Sequence, residues 1–147
     1  MDDGRMTLIV ERMLPTHIVE IGRRLQVAQS GIEPELTIGY AIDLIGAGPA
    51  FSCVGPNGPI MAAGICMQWA GTAKAWAILT KDAAPHMLTV TRAVRAFLAS
   101  REEKRIDTAV RTSFAEGHRW AALLGFQREG TMRKLHGDDD YDLYSRI

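Results

Sequence analysis

The side chains best suited to acid–base chemistry lie in two stretches of the chain. Ser113 and His118 stand close together in the segment SFAEGH, and a histidine exchanges protons near neutral pH. Glu20 and Glu35 carry carboxylates that can serve as a general base. Each residue also suits an ordinary position, with His118 beside a helix N-terminus and the glutamates on a solvated surface. We therefore treat His118, Ser113 and Glu20 as catalytic candidates and Glu35 as an alternative base.

Metal-binding and phosphate-loop motifs are weak in this chain. Cys53 and Cys66 lack the spacing of metal ligands, and their apolar surroundings favour free thiols, with a disulfide left open. The acidic run after His136 has adjacent carboxylates, which is typical of a solvated turn and not of a calcium loop. Gly46–Gly48 follows a predicted helix, whereas a phosphate loop follows a strand. The sequence therefore predicts no metal site.

Length and composition predict one domain spanning residues 1–147. Seventeen basic residues balance seventeen acidic ones, which argues against nucleic acid as a partner because phosphate contacts require excess positive charge. The acidic N-terminus does not resemble a signal peptide, and no apolar run reaches the roughly 20 residues that span a bilayer. We expect a cytoplasmic protein.

The first third of the chain predicts one strand and two helices. A strand covers Met6–Met13, and a helix follows Pro15 with Thr16 as its N-cap. Its apolar face repeats at helical spacing through Ile18, Ile21, Leu25 and Ala28 until the break at Ser30-Gly31. A second helix begins near Pro34 and ends at Gly46–Pro49.

The middle of the chain predicts a three-stranded meander. Its strands are Phe51–Val54, Ile60–Trp69 with a bulge at Gly64, and Ala73–Thr80, joined by turns at Asn57-Gly58 and Ala70–Thr72. Because Ala73–Thr80 is apolar on both faces, it should lie at the centre of a sheet that is covered on both sides. Trp69 and Trp76 flank the second turn, where packing is favoured over a pocket.

The last third predicts two helices that alternate with strands. Pro85 begins the longest helix, Arg105–Val110 is a strand, and Ser113 and Glu116 form a capping box before a helix that ends at Gly125. Phe126–Met132 and Tyr141–Ile147 are the final strands. The order β, α, α, β, β, β, α, β, α, β, β predicts an α/β protein with a mixed, mostly antiparallel sheet and helices on both faces.

This element order, together with the segment SFAEGHRWAALLGF and the final hairpin, resembles the GNAT (Gcn5-related N-acetyltransferase) family. The segment TAVRTSFAEGHRWAALLGF and the short Gly-Asp-Asp hairpin also resemble small GNAT-like proteins of tailed phages, including internal virion proteins of short-tailed phages. The resemblance implies acetyl-CoA as cofactor, a small-molecule or protein amine as acceptor, and a possible homodimer. The alternative is a GNAT-fold protein without catalysis that binds a phage or host protein, inside the host cell or the virion.

The resemblance also implies where acetyl-CoA would bind. Its pantetheine would pair with the backbone of the fourth strand at residues 77–80, including Ile78, Leu79 and Thr80. Its pyrophosphate would meet the following loop at Lys81, Ala83, Ala84 and His86.

The chain departs from the family pattern at three points. Both glycines of the phosphate loop are absent at Ala83 and Ala84, while Asp82 adds a negative charge there. Ala121 replaces the tyrosine that would protonate the departing thiolate, and Phe114 replaces a frequent asparagine. These departures favour the binding-protein alternative, whereas backbone contacts that survive the loss of side chains favour the enzyme.

Overall fold

The structure is a computed structural model that describes residues 8–24 and 36–147. The predictions for Met6, for the break at Ser30-Gly31, and for Pro34 and Glu35 lie outside the described residues. The described chain contains the elements β1 (Ile9–Arg12), α1 (Pro15–Arg24), α2 (Ile38–Ala47), β2 (Ala50–Gly55), β3 (Gly58–Trp69), β4 (Thr72–Leu79), a 3-10 helix (Lys81–His86), α3 (Met87–Ala99), β5 (Arg105–Arg111), α4 (Ala115–Leu123), β6 (Gln127–His136) and β7 (Asp139–Arg146).

The described strands form one seven-stranded sheet in the order β1-β2-β3-β4-β5-β7-β6. Every pair is antiparallel except β4 and β5, which α3 connects as a crossover. The predicted α/β class, the mostly antiparallel mixed sheet and the element order are confirmed.

Two apolar cores cover the two faces of the sheet. On one side, here called the α1 face, α1 and α2 pack against Ala62, Trp76 and Ile78. On the other side, the α3 face, α3 and α4 pack against a core that includes Met61, Ala63 and Ala73. Successive residues of β4 therefore alternate between the two cores, as its apolar sequence predicts.

The two cysteines lie in different cores. Cys53 packs on the α3 face, whereas Cys66 packs on the α1 face, and both are free thiols. Because the sheet separates them, the alternative of a disulfide between them is excluded.

Three helix starts differ from the predictions. Helix α1 begins at Pro15, so Thr16 lies inside its first turn and is not the cap. Helix α4 has Phe114 at its cap position without a side-chain hydrogen bond, because the Phe114 N–H donates to the Arg111 carbonyl and extends the turn after β5. The predicted capping box of Ser113 and Glu116 is therefore wrong. Helix α3 begins at Met87, because Pro85 belongs to the preceding 3-10 helix.

The predicted bulge at Gly64 is also wrong. Gly64 pairs in register with both Ala50 and Trp76, and β3 shifts register between Met67 and Trp69 instead. A side chain at Gly64 would lie 2.6 Å from the Pro49 carbonyl, so the glycine permits close approach of the backbone and not a bulge.

No helix within residues 8–24 and 36–147 is long and apolar enough to cross a bilayer. The same residues contain no group of three potential metal-binding side chains.

Candidate functional site

The sheet opens between β4 and β5. These strands pair only at Thr72, Ala73 and Lys74 of β4, opposite residues 105–107 of β5. One residue further, the Thr108 hydroxyl donates to the Ala75 carbonyl at 3.1 Å. Beyond that bond β4 continues to Leu79 paired with β3 alone. A gap therefore widens between the two strands toward their C-terminal ends.

Backbone groups of β4 point into this gap. The Thr80 N–H and hydroxyl both donate to the Ile60 carbonyl of β3, at 2.9 and 2.8 Å, so Thr80 is turned away from the gap. Since backbone groups alternate in direction along a strand, Ile78 also faces β3, whereas Ala77 and Leu79 face the gap. Among the predicted cofactor residues of β4, the backbone of Leu79 has the required direction, and Ala77 joins it.

The segment after β4 is a closed 3-10 helix. The Ala83 N–H donates to the Thr80 carbonyl at 3.1 Å, and the Ala83 side chain is buried in the core of the α3 face. Lys81 and Ala84 are exposed, and His86 is half-buried. Asp82 lies 3.6 Å from Arg24 of α1. These contacts leave an exposed lysine beside a closed turn, in place of a glycine cradle.

Helix α4 presents a histidine that is already hydrogen-bonded on both nitrogens. His118 Nε2 lies 2.9 Å from the Thr112 carbonyl, which can only accept, so Nε2 carries the proton. Nδ1 therefore accepts from the Tyr144 hydroxyl at 2.7 Å. Ala121, one turn further along α4, is buried in the core.

An ionised carboxylate stands beside this pair. Asp142 lies 3.9 Å from His118 Nδ1 and accepts hydrogen bonds from Thr131, Arg128 and Thr112 at 2.7, 3.1 and 3.2 Å. Burial raises the pKa of Asp142, but these hydrogen bonds outweigh it and hold the pKa below its usual value. The arrangement can hold and transfer a proton along Tyr144 and His118.

The three catalytic candidates do not meet at the gap. Ser113 is exposed in the segment that joins β5 to α4. Glu20 lies against the β2–β3 turn, since a side-chain carbon built on Gly58 would be 2.8 Å from its carboxylate, and β3 and β4 separate that turn from the gap. The roles of His118, Ser113 and Glu20 stay predictions.

Two further polar residues flank the start of the gap. Asp107 is 8% exposed, and its Oδ2 accepts from Arg105 Nε at 3.3 Å. Among the described residues, Asp107 Oδ1 and Trp76 Nε1 are buried and have no hydrogen-bond partner. A charged residue within the alternating strand RIDTAV was the signal for Asp107, while the periodicity around Trp76 indicated only packing.

A second constellation resembles a nucleophile with its base but is closed to substrate. Ser52 Oγ lies 2.9 Å from His17 Nδ1, and His17 Nε2 lies 3.2 Å from Glu11. The Leu14 N–H also donates to His17 Nδ1, at 3.0 Å. Because Ser52 is 0% exposed, the network ties β1, α1 and β2 together and does not offer a nucleophile. Sequence spacing gave no signal for it, since His17 and Ser52 are 35 residues apart.

No protein-family model matches the chain, and no curated protein matches it at the significance required. Solved structures do match. A ribosomal-protein-S5-alanine acetyltransferase from Vibrio fischeri superposes with a TM-score of 0.77 at 18% identity, covering 95% of this chain and 92% of that one. A GNAT superfamily phosphinothricin acetyltransferase from Sinorhizobium meliloti, in complex with AcCoA, gives 0.75 at 13% identity, covering 96% and 88%.

A chimeric spermidine N-acetyltransferase from Vibrio cholerae gives a TM-score of 0.73 at 11% identity, covering 95% of each chain. At these identities the similarity establishes the GNAT fold, which confirms the fold expected from the resemblance, and leaves activity to be argued from the site.

Proposed function

We propose that this protein is an N-acetyltransferase that moves an acetyl group from acetyl-CoA to an amine. The observation that carries the proposal is the gap between β4 and β5, into which Ala77 and Leu79 direct unpaired backbone groups. A strand edge in this state can pair with the amides of an extended ligand such as pantetheine. Solved structures with this fold include acetyltransferases for a ribosomal protein, spermidine and phosphinothricin.

The residues present fit the two ends of acetyl-CoA unequally. Small side chains at Ala75 and Ala77 leave room beside the gap, which suits the pantetheine arm. The phosphate end lacks backbone donors at glycines, so the charges of Lys81 and His86 would have to hold the phosphates against the charge of Asp82. We therefore expect weaker phosphate binding than a glycine cradle provides.

Acetyl-CoA supplies the activated acetyl thioester, and the protein supplies position and proton control. The apolar side chains that pack around the gap exclude water, and the Trp120 Nε1–H donates to the Thr91 hydroxyl at 2.9 Å, joining α4 to α3 above it. In the absence of a tyrosine at Ala121, the Tyr144–His118 pair is the proton-holding group of α4 and β7.

Calorimetry with acetyl-CoA and with CoA tests this proposal. We expect saturable binding, and a fivefold to tenfold weaker affinity, roughly the value of one hydrogen bond, for Ala77→Pro, which deletes an N–H that faces the gap. Ala77 makes no ladder bond to β3, so circular dichroism should show a retained fold. Ala84→Pro in the exposed 3-10 helix is a control outside the strand. No binding of either ligand by the wild-type protein at millimolar concentration would contradict the proposal.

A second candidate function is a GNAT-fold binding protein without cofactor chemistry. The closed 3-10 helix, with Ala83 packed into the core, and the buried Ala121 favour it. Membership of the phage-encoded branch, with a virion or host protein as partner, is one form of this candidate. Detection of the chain in purified particles, or recovery of a host protein on the wild-type chain, would support it. Turnover of acetyl-CoA in the presence of amines would count against it.

A further inference from the structure

The start of the gap has a polar corner on the α1 face. Lys74 and Asp107 are register partners across β4 and β5, so their side chains share one face. Trp76, two residues along β4, points to that same face, where it packs against the core of α1 and α2. Asp107 and Trp76 therefore flank the point at which the two strands stop pairing.

Each of these two residues holds a polar atom without a partner. Within the described part of the chain, Asp107 Oδ1 and Trp76 Nε1 are buried and make no hydrogen bond. A buried carboxylate oxygen and a buried indole N–H are both unfavourable when unpaired, and folded proteins rarely leave such groups without a ligand, a water or a function. One acceptor and one donor at the same corner call for a ligand group that satisfies them.

The carboxylate of Asp107 is held in a fixed orientation. Arg105 donates to its Oδ2 and at the same time forms two hydrogen bonds with Glu129, at 2.9 and 2.6 Å. The Ser145 hydroxyl fixes Glu129 in turn. Arg105 is therefore occupied mainly by Glu129, and Oδ1 of Asp107 is left toward the gap side of the network.

The charge of the network favours a cation. Asp107 and Glu129 carry two negative charges against one positive charge on Arg105, which leaves a net charge of −1. Lys74 is exposed and forms no ion pair with Asp107 among the described residues. A charged donor such as an ammonium group satisfies an ionised carboxylate oxygen best, and the indole ring beside it adds attraction for a cation.

We propose that Asp107 and Trp76 form the subsite that receives the ammonium group of a primary amine, the acceptor substrate. The inference rests on the proposed acetyltransferase function, and it names the substrate class as a cationic amine recognised by a carboxylate. The amine binds to this corner without acetyl-CoA, so the subsite can be tested apart from transfer.

Binding of spermidine and of n-butylamine to the cofactor-free protein, followed by calorimetry and by amide chemical shifts, tests the inference. We expect saturable binding of both amines, shifts centred on residues 74–77 and 107–109, and no binding of n-butanol. Asp107→Asn should weaken amine binding at least about tenfold, because it removes the charge while keeping the shape. Trp76→Phe, which keeps a ring but lacks the N–H, should weaken binding by a smaller factor.

Asp138→Asn in the exposed β6–β7 turn is the matched control and should bind amines as the wild type does. Unchanged amine affinity in Asp107→Asn, or shifts confined to other regions of the wild-type protein, would overturn the inference. If Asp107→Asn does not fold, the wild-type shift map and Trp76→Phe decide. Amine binding without acetyl-CoA binding would keep this subsite and reject the acetyltransferase, whereas acetyl-CoA binding without amine binding would do the reverse.

Discussion

The His17 network should act on stability and not on chemistry. His17→Ala removes the acceptor for the Ser52 hydroxyl, which is fully buried, and for the Leu14 N–H, which is partly buried. A buried donor left without a partner costs about 1–3 kcal/mol, and the lost ring adds an unfilled space. We therefore expect His17→Ala to lower the free energy of unfolding by about 2–4 kcal/mol.

Urea denaturation followed by far-ultraviolet circular dichroism measures this free energy. For a chain of this length, a loss of that size lowers Tm by roughly 5–15 °C. Ser52→Ala is the matched variant and should cost only about 1 kcal/mol, because His17 keeps its bond from Leu14. The double variant should cost less than the sum of the single ones, since both act on the same hydrogen bond.

Ser52→Ala also separates structure from catalysis. Any acyl transfer by the folded protein should continue in this variant, because the Ser52 hydroxyl has no exposed surface. The reasoning would be refuted if His17→Ala lost less than about 1 kcal/mol, or if the costs of the two single variants were fully additive. Loss of activity in a stably folded Ser52→Ala would refute the structural role.

Two further predictions follow from shifted pKa values. Hydrogen bonds from Arg105 and Ser145 lower the pKa of Glu129 from 4.5 to about 2, so its stabilisation is present above pH 4.5 and is lost as pH falls toward 2. Urea unfolding between pH 6 and 3 should therefore fall less steeply in Glu129→Gln than in the wild type, and equal slopes would exclude the effect. Burial raises the pKa of Cys53 to about 11, so iodoacetamide at pH 7.5 should not alkylate Cys53 in the folded protein but should alkylate it in urea. Mass spectrometry of the peptides gives the result, and Cys66, which is only partly buried, should react before Cys53.

Local patterns predicted the elements because secondary structure depends mainly on periodicity and on residues that end it. The apolar run of β4 predicted a central strand, and the stripe through Val90 and Val94 predicted α3. Helix starts were predicted less well, since a cap depends on the path of the preceding strand as much as on residue type. Phe114 took the cap position of α4 because its N–H continues the turn from Arg111.

The site was predicted only in part. The backbone of Leu79 does face the gap, whereas the tertiary structure turned Ile78 and Thr80 toward β3. Which backbone groups stay unpaired depends on where β4 and β5 separate, and no local pattern encodes that point.

By itself, the sequence determined the order of strands and helices, the two-sided burial of β4 and the absence of the family's glycines and tyrosine. Only the tertiary structure brought Asp107 beside Trp76 and Ser52 beside His17. The physical reason is that periodicity reports which face a residue takes, whereas its partners depend on strand register and on contacts between distant segments. Unpaired buried atoms, such as Asp107 Oδ1, become visible only when every potential partner has a position.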